Sequence, residues 1–139
     1  MYQINVHSLY EEDYCQWLEI TLKQIQEKDV DHLDWVHLTE EIEALGREQR
    51  NKVQSYLIWL LKHLLMYQYW QSEKEYCAQV WAEEIDNFPI ELEILIEAKT
   101  LKNYCISIQN LAYQKARRAA IKKTGLGADI FPNNVPILW

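Results

Sequence analysis

Apolar residues recur at intervals of three and four through most of the chain, the period of a helix with one buried face. Tyr10, Tyr14, Trp17, Leu18, Leu22 and Ile25 form the first series. The second, Leu38, Ile42, Leu45, Gln49, Val53, Tyr56, Leu60, His63 or Leu64, and Tyr67, keeps one phase across Gly46. A glycine inside a helix costs only about 0.5–1 kcal/mol relative to alanine, so this phase predicts one long helix with Gly46 as the place where it can bend. From Tyr56 onward apolar residues surround that helix, which marks its second half as the most buried element. A third series, Cys77, Trp81, Ile85, Phe88, Leu92 and Leu95 or Ile96, runs through Pro89, which kinks the helix or begins a new one. The last series is Leu101, Tyr104, Cys105, Ile108, Leu111, Ala112, Ala116, Ala119 and Ala120, whose alanines allow close helix approach.

Capping residues place the ends. Ser8 with Glu11 and Ser72 with Glu75 have the capping-box spacing, Asp34 suits the N-cap of the second helix, and Thr100 that of the last. Thr124-Gly125 stops the last helix behind Lys122 and Lys123, cations that suit its dipole. Residues 27–33 read as a polar connector. Phe131-Pro132, Pro136 and Ile137-Leu138-Trp139 predict an extended tail with its hydrophobes pinned on the bundle or on a partner. The sum is an all-α fold, an antiparallel bundle of about four principal helices at roughly 9–26, 35–70, 73–98 and 101–123 with an extended C-terminal tail, forming a single domain over 1–139.

Composition narrows the function classes. Three glycines and three prolines among 139 residues leave little turn chemistry for a sheet and none for a glycine-rich phosphate loop. No apolar run approaches the roughly 18 residues of a membrane span, and no basic segment followed by an apolar one marks a secretory signal, so no membrane contact and a cytoplasmic location are expected. Three widely spaced cysteines, Cys15, Cys77 and Cys105, each within or beside an apolar stripe, read as reduced, buried thiols. A net charge of -7 argues against a general nucleic-acid binder. The charge is uneven, however: residues 98–128 carry seven basic side chains and no acidic one. Lys115, Arg117, Arg118, Lys122 and Lys123 therefore keep nucleic-acid binding through the last helix as a minor alternative.

The segments "LYEEDYCQWLE", "LTEEIEALGREQR", "LLKHLLMYQYW", "AYQKARRAAIKKTGL" and "FPNNVP", in that order, resemble the bacterial family of domains of unknown function number twenty-nine. The likeness runs from Leu9 to about Pro136, with "EEIEALG" and "HLLMYQYW" as its most specific parts. It implies a small all-helical cytoplasmic bundle and carries no catalytic residues with it. Pro89 and the connector "QSEKE" depart from the family pattern, in which the third helix continues without proline and the connector is basic and proline-containing.

The residues themselves offer three constellations. A bundle can pool carboxylates around Mg or Mn, and Glu40-x-x-Glu43 and Glu83-x-x-Asp86 loosely resemble the magnesium motifs of all-α nucleoside-triphosphate pyrophosphatases. With Leu38, Ile42 and Leu45 as the core direction, Glu40 and Glu43 point roughly 200° and 140° away, while Glu41, about 60° off, borders the core. Glu41, Glu84 and His63 are thus the weak metal candidates, His63 lying about 20° from the core direction. Glu41 and His63 are separated by roughly 33 Å along a straight helix, so a shared ion requires other helices or a reversal at Gly46. His7, His32 and His37 lie near chain ends or connectors, make no metal-ligand spacing, and read as surface residues. The second constellation is aromatic. Six Trp and nine Tyr against two Phe put Tyr56, Trp59, Tyr67, Trp70, Trp81 and Trp139 forward as an interface or pocket. The third is the basic patch.

The reading that results is an interaction or accessory domain without catalytic activity, binding a protein partner or a second copy of itself, with no cofactor. The alternative is a Mg- or Mn-dependent hydrolase acting on a nucleotide or another phosphorylated small molecule.

Overall fold

A computed structural model of the chain describes residues 5–70 and 90–134. Every regular element among them is helical: α1 (Val6–Glu12), α2 (Tyr14–Gln26), a 3₁₀ turn (Val30–His32), α3 (Trp35–Tyr69), residues 90–96 (α4), α5 (Lys99–Ser107), α6 (Gln109–Thr124) and a second 3₁₀ turn (Ala128–Ile130). The all-α class stands. The readings on Ser72 and Glu75, Cys77, Trp81, Glu84, Pro89 and Ile137 to Trp139 lie outside the described residues. Contacts group the chain into two compact units, Met1–Arg47 and Glu48–Trp139, and α3 contributes to both.

Where the boundaries differ from the expected ones, a side chain explains most of the shift. The first predicted helix is two. Asp13 leaves the helical region at φ -150 and ψ 82; its N–H donates to Leu9 O at 2.7 Å and closes α1, while its Oδ1 accepts from Gln16 N at 3.1 Å and opens α2. A short carboxylate that competes for backbone donors is suited to that double duty. Asn5, not Ser8, caps α1, its Oδ1 accepting from Ser8 N at 3.4 Å. Asp34 caps α3 as expected, accepting from His37 N at 3.3 Å, and α3 runs unbroken through Gly46. The last predicted helix also divides, at Ile108, and its start is at Ala98, which makes no side-chain cap bond, rather than at Thr100. No glycine or proline accounts for the break at Ile108; beside it Ser107 Oγ donates to Tyr104 O at 2.6 Å, the carbonyl that Ile108 N also reaches at 3.1 Å. Gly125 ends α6 in the left-handed region at φ 71.

The second unit holds the apolar core. Val53, Leu57, Leu61 and Leu65 of α3 meet Leu92 of α4, Cys105 of α5 and Ala112, Tyr113, Ala116 and Ala120 of α6. Tyr56 and Leu60 are half-buried beside that line rather than on it. The three alanines have no exposed surface, and as on any tightly apposed helix they let the neighbouring backbone approach. After α6 the chain is not simply extended. It makes its 3₁₀ turn and drops Phe131 into the core, 1% exposed, with its ring edge-on to Tyr69 at 5.7 Å.

The first unit is built otherwise. Among its described residues only Trp17 is a buried apolar side chain, and Thr21, Asp34 and His37 are buried with it. Leu18, Leu22 and Ile25 of α2 and Ile42 and Leu45 of α3, expected on the inner faces, are exposed. So is Cys15, expected to be buried, whereas Cys105 is buried.

Candidate functional site

Within the first unit, residues 34, 37 and 41 follow one another at three and four on α3, the spacing of one helical face. That polar face, not the Leu38–Ile42–Leu45 face, is the one α1 and α2 cover. Asp34 is the hub. Its side chain, 3% exposed, accepts from Trp17 Nε1 at 3.0 Å and meets His37 Nδ1 at 2.6 Å and His7 Nδ1 at 3.2 Å. Burial alone would push this carboxyl up, but the bonds from His37, Trp17 and His7 prevail and hold it at about 2, against an ordinary 3.8.

Aromatic rings wall the cluster. Tyr10 stacks on His37 with centroids 3.9 Å apart and planes 12° from parallel, and His7 lies 4.3 Å from His37. Trp17 meets Tyr10 edge-on at 5.1 Å. One turn along α3, Glu41 receives two phenols: Tyr10 donates to Oε1 at 2.5 Å and Tyr14 to Oε2 at 2.6 Å. These bonds lower the Glu41 carboxyl; they raise Tyr14 and push Tyr10 up to about 12. His37 is 10% exposed and His7 62%, so the cluster is closed at its base and open on the His7 side. There it faces a surface cleft of about 900 Å3 that His7, Gln24, His32, Asp34 and Trp35 help to line.

The sequence-predicted candidates are dispersed. Glu41 is half-buried with both oxygens engaged by tyrosines; His63 belongs to the other unit, its Nδ1 2.9 Å from Trp59 O and its ring stacked on Trp59 at 3.7 Å; Glu84 lies outside the described residues. Of the aromatic candidates, Tyr56, Trp59, Tyr67 and Trp70 are all half-buried in the second unit, and Trp81 and Trp139 lie outside the described residues. Lys115, Arg118, Lys122 and Lys123 are exposed along α6. Arg117 turns inward to the tail, Nη2 donating to Ala128 O at 2.6 Å and Nε to Phe131 O at 3.4 Å.

One of the three histidines expected at the surface is not there: His37 is buried. His7 is exposed as expected, and it reaches the same carboxylate. The available signal was Asp34-x-x-His37, a capping acid followed by a histidine on its own side of the helix, and the stronger apolar period of Leu38, Ile42 and Leu45 obscured it.

Comparison with known proteins places the chain in a family. The model of the family described as "Domain of unknown function DUF29" matches residues 9–139. The chain belongs to that family. No curated protein and no solved structure matches the chain. His7 precedes the matched stretch, whereas Asp34, His37, Glu41, Tyr10 and Tyr14 fall within it.

Proposed function

We propose that the protein is an interaction or accessory domain of the bacterial cytoplasm, without catalytic activity of its own, that works by pairing with a second copy through its N-terminal unit. One observation supports this above the others. Tyr14, Leu18, Leu22 and Ile25 make a continuous apolar row on α2 and are 44%, 43%, 56% and 48% exposed. Val30, Trp35, Val36, Ile42 and Leu45 of the same unit are each more than half exposed. Apolar side chains scattered singly over a surface are ordinary, whereas a row of neighbouring ones along a helix marks an interaction face. A standard interface covers roughly 800 Å2 on each partner, and a two-fold pair presents the same patch twice, so a second copy suffices to cover it. The engagement of Glu41 by Tyr10 and Tyr14 weighs against the hydrolase reading, which needs that carboxylate for a metal.

Sedimentation of the full chain at tens of micromolar tests the pairing. A dimer that becomes monomeric in Leu22→Glu, with unchanged helical circular dichroism, is the expected result. A wild-type chain that stays monomeric, or a dimer that survives both Leu22→Glu and Ile25→Glu, overturns it.

A further inference from the structure

We propose that His7, Asp34 and His37 form a zinc site. The inference is independent of self-association. One ligand atom from each of the three residues lies within 4.8 Å of the other two, two of the residues are buried, and no other such group occurs among the described residues. Two imidazole nitrogens and a carboxylate oxygen are a donor set that suits Zn(II), whereas Mg and Mn prefer oxygen ligands.

The spacing is close to what the ion requires. Ligands at about 2.0–2.2 Å in a tetrahedron lie roughly 3.4 Å from one another. His7 Nδ1 is 3.2 Å from Asp34 Oδ1 and His37 Nδ1 is 2.6 Å from Asp34 Oδ2, the other oxygen of the same carboxylate, and one donor atom from each residue lies within 4.8 Å of the other two. From a mutual separation within 4.8 Å, the three donors need to shift by at most about 1.4 Å to take up that spacing. The ion would replace the two imidazole–carboxylate contacts, and both imidazoles would bind it in their neutral form.

The surroundings are those of a metal site rather than of a lone polar cap. The Trp17 indole and the His37 backbone N–H orient the carboxylate, and Tyr10, itself fixed by Glu41, holds the His37 ring by stacking. Such outer contacts set ligand geometry in zinc proteins. The exposed His7 and the cleft beside it give the ion an entry path and leave room for water as the fourth ligand.

The test is titration of the full chain, freed of metal with a chelator, with Co(II) followed by visible absorption and with Zn(II) followed by calorimetry. One equivalent should bind with the visible bands of tetrahedral cobalt. Affinity should fall at least about tenfold in His7→Ala, whose side chain is mostly exposed, and stay unchanged in His32→Ala. Absence of binding, undiminished binding in His7→Ala, or the intense charge-transfer absorption of a cobalt thiolate, which would put the ion on a cysteine, overturns the assignment. If His7→Ala disturbs the fold, the wild-type imidazole resonances decide: zinc should shift those of His7 and His37 and spare those of His32 and His63. The opposite pattern overturns the site.

Discussion

The Glu41 carboxylate is bound by two phenols at once, and proton linkage makes that arrangement measurable. Hydrogen bonds from Tyr10 and Tyr14 lower the Glu41 carboxyl, so its share of stability is fully present above the ordinary 4.5 and is lost as pH falls through the depressed value. Tyr10 is displaced the other way, from 10.0 to about 12, chiefly by its bond to Glu41. Its share is fully present below pH 10 and is lost as pH rises through about 12. Between those limits the contact contributes a plateau. Near-ultraviolet titration of the tyrosines should accordingly show a late phenol that disappears in Tyr10→Phe. In Glu41→Gln the late phenol should titrate near its ordinary value, because a neutral amide no longer penalises the phenolate. A titration identical in wild type and Tyr10→Phe would show that Tyr10 is not held as described.

At the level of the elements, two left-handed residues end helices with opposite chemistry. Lys28 has φ 57 just past α2, where Asp29 N donates back to Gln24 O at 2.8 Å in the manner of a Schellman turn. Gly125 has φ 71 just past α6, with nothing within 4 Å of the position a Cβ would take. A side chain in this region costs about 1 kcal/mol, and glycine relieves it. Lys28→Gly should therefore stabilise the chain by roughly 0.5–1 kcal/mol, and Gly125→Ala should destabilise it by about the same amount through backbone strain alone. Urea midpoints of the two variants check the opposite signs. The same elements show what the residue pattern carried and what it hid. The 3.6-residue period located α3 to within a residue at each end, because Asp34 and the long apolar series agree. It misplaced the inner face of the N-terminal half, since Asp34, His37 and Glu41 are polar and periodicity counts only apolar side chains. The candidate site was missed for that reason: it depends on His7 and Trp17 meeting Asp34 and on Tyr10 and Tyr14 meeting Glu41, and no spacing along a single helix encodes those meetings. The division at Asp13 was legible in its chemistry, though the capping box at Ser8 outranked it.

Across the whole molecule the two units are stabilised by different physics. Among its described residues the second unit buries thirteen apolar side chains in one cluster, and Arg117 and Tyr113 fasten the segment after α6, the phenol donating to Pro132 O at 2.5 Å. In the first, Trp17 is joined in the interior by a carboxylate, a histidine and a threonine, while the apolar residues of α2 face outward. Burying apolar area contributes about 25 cal/mol per Å2, and a buried hydrogen bond only about 1 kcal/mol net, so the first unit gains much less from its interior. Opening should then proceed in two steps, the N-terminal unit first. Native-state hydrogen exchange on the metal-free chain is the measurement. Amides of α2 between Trp17 and Gln26 should exchange through a lower-energy opening than those of α6 between Ala112 and Ala120. Asp34→Ala should widen the gap by removing the acceptor of Trp17 and the cap of α3, whereas Arg117→Ala should narrow it by loosening Phe131 from the second core. Equal protection of α2 and α6 in the wild type, unchanged by either substitution, would mean that the polar interior is as cohesive as the apolar one.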